Sequence, residues 1–367
     1  MDFGLGLMGY HGCWEDAAFA EAHGFATAGF VDSPLLGGDP FACMALTAQA
    51  TTSMRLGTFL AIPGGRNAAT TAAAIATVNR MAPGRTFLGV GSGFTGRATF
   101  GLPRVPVSRL RAFAADCRAL LDGEEIVHRE GKWERPIRFR HKEGLYVDLE
   151  HRTPVYVAAD GPKALAAAGE VGDGWIITLQ YSNVMDNAAD VYAWSFGQLL
   201  AGAKAAGRSM ADAYKMYSAC VCVLEPGESA ASPRVLERVG MAAMMPFHVY
   251  ADDPSIAEHL PPPLRDRIEL YEREVLSGLP VPRDRLYQET HRGHLSHLID
   301  GEAAVLTDEI VRMTTLTGTA EEIAATLRQL EDAGLDNVSF WAPPHLTREI
   351  VLDVAEQVMP LLTPSAA

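Results

Sequence analysis

Thr86-Phe87-Leu88-Gly89-Val90-Gly91-Ser92-Gly93-Phe94-Thr95-Gly96 admits two readings, and the choice between them decides the fold. The last six residues match G-x-G-x-x-G and follow an apolar run, which taken alone suggests a dinucleotide-binding turn. That turn belongs after the first strand of a βαβ pair, with a carboxylate at the tip of the next strand about 20 residues on to hold a ribose. Here the run is the fourth strand of a series, and Asp116 falls inside a helical stretch. The glycines are therefore read as a strand end where backbone can approach a flat ligand.

Working outward, the flanks repeat one cadence. On the N-terminal side, 3–8 reads as a strand, 14–23 as a helix ended by Gly24, 26–31 as a strand, and 40–52 as a helix with Pro40 at its start. Strand 56–62 follows, then an Ala-rich helix over 68–81 stopped by Pro83-Gly84. On the C-terminal side, helix 107–121 precedes a charged, hairpin-like stretch over 123–152 with turn signals at Gly131-Lys132 and Glu143-Gly144. The rhythm resumes with strand 154–159, helix 162–171, strand 174–179, helix 188–206 and strand 214–224. A longer interruption, 225–316, contains Pro261-Pro262-Pro263; then come helix 320–333, strand 337–341 and helix 347–361. Eight strands alternating with helices imply parallel βαβ units. The expected fold is α/β: a (β/α)8 TIM barrel forming one domain over 1–367, with insertions after strands four and seven. Reactive groups in such a barrel stand at the C-terminal ends of the strands.

The bulk numbers agree. The 367 residues, 48% of them hydrophobic, can bury one large core. A net charge of −14, spread along the chain, argues against duplex nucleic acid and anionic membranes as partners. The five cysteines form no CxxC and are expected to be small buried thiols. The N-terminus lacks a basic leader, and no apolar run reaches membrane length, so a cytoplasmic protein is expected.

One segment reads as an anion site. Ala159-Asp160-Gly161-Pro162-Lys163 turns from strand five into a helix. Pro162 suits the first turn, Gly161 leaves backbone N–H groups open, and Lys163 adds charge. The alternative is an ordinary strand–helix loop. Asp173-Gly174 reads as a turn without chemistry.

Five segments in this order resemble the luciferase-like flavin and deazaflavin oxidoreductases: 29–33 (GFVDS), 52–58 (TSMRLGT), 83–93 (PGRTFLGVGSG), 154–164 (PVYVAADGPKA) and 171–176 (VGDGWI). The resemblance implies a flavin-type ring across the barrel mouth, with its phosphate after strand five. It implies a bulge at Phe59-Leu60 behind the ring, often with a non-proline cis peptide, and contacts from Ser92 and Gly93. It places an acidic residue, Asp32, beside the ring; a loop-ordering carboxylate is the other reading. Two positions depart from the pattern. Ser33 stands where a histidine is common, and Phe94 stands where some deazaflavin-dependent dehydrogenases carry a glutamate acid.

Outside that frame, His11 follows strand one and is a candidate acid–base group or a plain loop histidine. His291, His294 and His297 recur every third residue, a spacing that fans rings around a helix and does not point to metal. Lying in the segment expected over the barrel mouth, His294 is a candidate on the substrate side, and His248 a weaker one. Met241, Met244 and Met245 could line an apolar cavity or the core. Asp300, Glu302 and Asp308 are expected to be solvated.

The leading functional reading is a monooxygenase or reductase using diffusible reduced FMN on a small organic substrate. The flavin would be supplied by a separate NAD(P)H:flavin reductase, and the resemblance implies a homo-oligomer. The alternative is a coenzyme F420-dependent hydride-transfer enzyme. Its anionic tail wants a basic groove, for which the sequence offers Lys163 and little else nearby. A non-catalytic flavin-binding protein is a reading of another class, and a metal hydrolase is disfavoured because no HxH or paired carboxylate ends the early strands.

Overall fold

In a computed structural model describing residues 1–179 and 184–362, the strands pair in chain order and close on themselves. The barrel strands are β1 (Asp2–Leu7), β2 (Thr27–Phe30), β3 (Arg55–Thr58), β4 (Thr86–Val90), β5 (Val155–Ala158), β6 (Gly174–Ile177), β7 (Tyr214–Val223) and β8 (Asn337–Trp341). All eight neighbouring pairs are parallel, and closure is made by β1 on β8, from Asp2 opposite Asn337 to Gly6 opposite Trp341. A (β/α)8 barrel is therefore the fold.

Parallel strands covered on both faces read as apolar runs, and side-chain alternation divides those runs between two cores. Leu5, Phe30, Leu88 and Val157 point outward to the helical layer. Val31, Phe59, Phe87, Tyr156 and Trp341 point inward. Inward glycines make room for those rings. A Cβ on Gly29 would stand 2.7 Å from the Phe59 ring, and one on Gly6 would stand 2.4 Å from the Trp341 indole. Large side chains thus fill the space left by the adjacent strand, as in a packed barrel interior.

The helices start where local chemistry starts them. Asp39 caps α1 (Pro40–Ala50) by accepting from the Phe41 and Ala42 N–H groups at 2.9 and 3.0 Å. Asn67 caps α2 (Ala68–Met81) by accepting from Thr70 N–H at 2.9 Å. Thr319 and Glu322 form a capping box for α5 (Ala320–Asp332). Between them, α3 (Pro162–Val171) follows β5 and α4 (Val184–Ala205) follows β6.

Within 123–152, Ile126–Glu130 and Trp133–Ile137 form an antiparallel hairpin turning at Gly131, whose φ is 54°. Within 225–316 lie short helices, including Pro233–Ala243, Met245–Asp252 and Ile268–Glu274. They share the inner core with Phe59, Cys220 and Trp341, so this segment caps the barrel mouth. A short strand, Leu316–Gly318, then pairs in parallel with Val221–Val223, an element that the periodicity did not reveal. Its three residues are too few to show a pattern. Among the described residues no helix is long and apolar enough to cross a membrane.

Candidate active site

The loops after the barrel strands and the cap enclose a cavity of about 730 Å³, within the range of small-molecule and cofactor sites. Its floor is apolar, with Phe59, Ile176 and Trp341. The Phe59–Leu60 peptide is cis, as the resemblance implied, and both residues line the cavity. Beside them, Ser92 and Gly93 leave β4; Gly93 has φ +75°, which a side chain would strain. A Cβ on Gly96 would stand 2.8 Å from the Asp32 carbonyl, so the loop after β4 packs directly on the loop after β2.

The candidate anion end lies at the N-terminus of α3. Ala159, Asp160, Gly161, Pro162 and Lys163 all border the cavity. The Leu165 N–H is bonded to the Gly161 carbonyl at 2.9 Å. The N–H groups of Gly161, Lys163 and Ala164 precede it, at positions without intrahelical acceptors. A Cβ on Gly161 would meet nothing within 4 Å, so that backbone is open. The Ala159 carbonyl is held by the Trp175 indole at 2.8 Å. The Asp160 carboxylate is engaged by the Thr178 N–H and hydroxyl at 2.9 and 3.0 Å, which ties the loops after β5 and β6 together.

Charge around the cavity exceeds what Lys163 alone suggested. Arg104 lies on the wall, its guanidinium 4.6 Å above the Phe94 ring. Arg97 packs on Gly93, and the Arg97 and Arg109 guanidinium groups lie 2.9 and 3.6 Å from the point a Cβ would occupy on Gly64. Among the described residues, none of Arg97, Arg104, Arg109 and Lys163 has a carboxylate within ion-pairing distance. Arg104 and Lys163 come from different loops and share one cavity wall only in the fold, which is why the linear reading missed Arg104.

Asp32 is buried on the wall and paired with Arg66 at 3.3 Å. Burial pushes its carboxyl up from the ordinary range, and Arg66 opposes the shift. Arg66 also pairs with the α1 cap Asp39.

His294 comes from the cap. Buried, it borders the cavity, and its Nε2 lies 3.2 Å from the Thr95 hydroxyl. Behind it, His291 Nε2 faces Asp252 at 2.9 Å and His248 Nε2 faces Glu302 at 2.7 Å. Glu302, expected to be solvated, is buried; its second oxygen accepts from the Ile299 N–H at 2.9 Å. Asp308 is exposed, as expected, and accepts from the Ser229 hydroxyl at 2.7 Å and the Ala230 and Ala231 N–H groups, each at 3.1 Å. Burial, then the neighbouring His291 and His248, hold His294 well below the usual histidine range, so it is neutral at pH 7. His297 is outside this cluster, bonded to Ser296 at 2.9 Å. His11 is exposed, edge-on to Trp14 at 5.3 Å, and is not among the residues bordering the cavity. Met245 borders the cavity, whereas Met241 and Met244 are core.

Comparison with known proteins agrees with this architecture. A 5,10-methylenetetrahydromethanopterin reductase of Methanolobus tindarius is 26% identical over 331 residues, covering 89% of each chain. An F420-dependent hydroxymycolic acid dehydrogenase of Mycobacterium tuberculosis is 34% identical over 175 residues, 46% of this chain and 45% of the relative. The structure of the coenzyme F420 dependent tetrahydromethanopterin reductase from Methanopyrus kandleri superposes with a TM-score of 0.66 at 18% identity, covering 99% of each chain, and so shares the fold. The family described as luciferase-like monooxygenase matches residues 8–337, and the chain belongs to that family of oxidoreductases.

Proposed function

We propose that the protein is a coenzyme F420-dependent oxidoreductase that exchanges hydride with a small organic substrate. This reverses the preference for reduced FMN drawn from the sequence. The observation that carries it is Arg104, which joins Lys163 on the cavity wall outside ion-pairing distance of any carboxylate of the described residues, with the Asp160 carboxylate acting on it only at longer range. Two such cations around an anion site suit a cofactor with a long anionic tail better than one ending in a single phosphate. The names of the M. tuberculosis and M. kandleri relatives support the same cofactor. In this reading the deazaflavin supplies or accepts the hydride. Gly161 and Lys163 hold its phosphate, Phe59 and Leu60 back the ring, Ser92 and Gly93 border it, and Asp32 stands beside it. Reduced FMN remains the second reading, favoured by the monooxygenases that give the family its description.

Equilibrium titration of the protein with F420 and, separately, with FMN tests the choice. F420 should bind at least tenfold more tightly. Equal or tighter binding of FMN would return the monooxygenase reading to first place.

A further inference from the structure

The stretch from 127 to 146 folds without a core of its own. Not one of its twenty residues is buried. The strands Ile126–Glu130 and Trp133–Ile137 pair only with each other, and a two-stranded hairpin is marginal by itself. Fixing its backbone costs conformational entropy, which buried apolar surface normally offsets. Apolar surface is present here but faces outward. Val127, Trp133, Leu145 and Tyr146 are four of the eleven large hydrophobic side chains exposed among the described residues, and Trp133 is 57% exposed. Such a concentration in one short stretch marks a contact surface.

The same stretch inverts the charge of the chain. Arg129, Lys132, Arg135, Arg138, Arg140 and Lys142 stand against three carboxylates, Glu130, Glu134 and Glu143, a net charge of +3. The whole chain carries −14, so the remainder carries −17. Arg129 is paired with Glu134 at 2.9 Å. Among the described residues none of the other five cations has a carboxylate within ion-pairing distance. Lys132 and Arg135 flank the Trp133 ring at 5.3 and 5.2 Å. An exposed indole bordered by free cations suits an acidic protein surface, with the ring as the apolar anchor.

Topology places such a surface on the same end of this molecule. The stretch joins the helix Val107–Leu121 to β5, so it leaves the barrel where the strands begin, opposite the cavity mouth. On its side, Arg118, Arg152 and Arg208 share the single carboxylate of Asp173 at the entrance of β6. Across the barrel, the entrances of β7, β8 and β1 carry Asp212, Asp332, Asp336 and Asp2. Asp336 is held by Lys215 at 2.7 Å and Asp2 by the Tyr214 hydroxyl at 2.6 Å. Asp212 and Asp332 are exposed and lie in no ion pair among the described residues. One half of this end is thus basic and the opposite half acidic, the arrangement that an isologous contact needs. We propose that this end is an interface with a second copy of the chain, in which residues 127–146 of each copy lie against the acidic entrances of β7, β8 and β1 of the other. A two-fold axis in the plane of the contact makes both contacts at once and closes the pair. Both cavity mouths then face away from the interface, so the inference is independent of the cofactor reading.

Sedimentation velocity of the full chain reads the association, at about 50 mM and about 500 mM NaCl, which brackets strong and weak screening. The wild type should self-associate at low salt, with a dissociation constant at least about tenfold higher at high salt. The triple variant Trp133→Ala, Arg135→Glu, Arg138→Glu should raise that constant at least about 30-fold, the scale of one lost aromatic anchor. Its melting temperature should be unchanged, because these side chains support no core. Carbodiimide coupling of an equal mixture of nitrogen-14 and nitrogen-15 wild-type protein locates the contact without any substitution. Lys132 or Lys142 should be joined to Asp212 or Asp332 in a chain of the other label. A wild type that stays monomeric at low salt overturns the second copy as the occupant. Retardation of a DNA duplex by the wild type and not by the triple variant, with no self-association, would assign the surface to nucleic acid instead and equally overturn the proposal. Self-association that the triple variant leaves unchanged, with no mixed-label link from Lys132 or Lys142, overturns the hairpin as the contact.

Discussion

Lys163 and Arg104 reach the same cavity from different loops, and their consequences separate by distance from the helix terminus. Lys163 stands beside the open N–H groups of α3, where the proposed cofactor phosphate would be held by backbone and one ammonium together. Lys163→Ala should therefore weaken F420 and FMN alike, by ~1–2 kcal/mol, the scale of one charge-assisted hydrogen bond. Titration at low salt checks it, and unchanged affinity would refute the assignment. Arg104 is placed for a longer anion, so Arg104→Ala should weaken F420 and leave FMN nearly untouched. At this scale His294 also predicts a pH effect. Its pKa in the fold lies below that of the unfolded chain, so the unfolded chain binds the extra proton first. Stability is complete above the unfolded value of about 6.5 and falls as pH drops below it. The groups near the ring are Thr95, His291 and His248, with Asp252 and Glu302 behind them. His294→Gln should lose less melting temperature than the wild type between pH 7.5 and 5.5.

At the scale of elements, the turn into β6 carries more than its sequence suggested. The Asp173 carboxylate, 7% exposed, accepts from Arg152 at 2.7 Å and from the Val155 N–H at 3.0 Å, with Arg118 and Arg208 at 3.3 and 3.6 Å. It thus ties the entrance of β6 to the start of β5, to the helix over 107–121 and to the residues that follow α4. Asp173→Ala should destabilise by ~1.5–3 kcal/mol, since a buried acceptor of charged donors is lost; denaturant unfolding measures it, and a change under 0.5 kcal/mol would contradict the role. Asp173 was read only as a turn because its partners lie 18 to 55 positions away. The barrel itself was legible, since prolines, glycines and short apolar runs mark each boundary locally. So was the loop 159–163, where one strand end and one helix start coincide. The histidine cluster was only half legible. The spacing of His291 and His294 was visible, but His248 and its partner Glu302 are 54 residues apart, and no local pattern ties a carboxylate to a ring across that distance.

For the whole molecule, the question is where the electrons come from. The cap from 225 to 316 closes over the barrel mouth, and in the proposed function the 730 Å³ cavity beneath it takes both the cofactor ring and the substrate. Gly91 to Gly96, the segment that mimics a dinucleotide turn, lies on this same cavity wall after β4, where its loop packs against Asp32. Its last two residues open a helix of only four, Thr95–Ala98, too short to present the dipole and N–H groups of a pyrophosphate site. The open helix terminus on the wall is that of α3, and the proposed cofactor phosphate occupies it. A nicotinamide nucleotide would therefore have to displace the cofactor it was meant to reduce. The prediction is that NADH and NADPH are oxidised no faster with the protein and its cofactor than without the protein, and that a separate reductase or dehydrogenase recycles the cofactor. The same mixture with an added cofactor reductase should support turnover of an identified substrate. Equal turnover with and without that reductase would show that this chain draws electrons from nicotinamide directly, and would require a second nucleotide position in the cap.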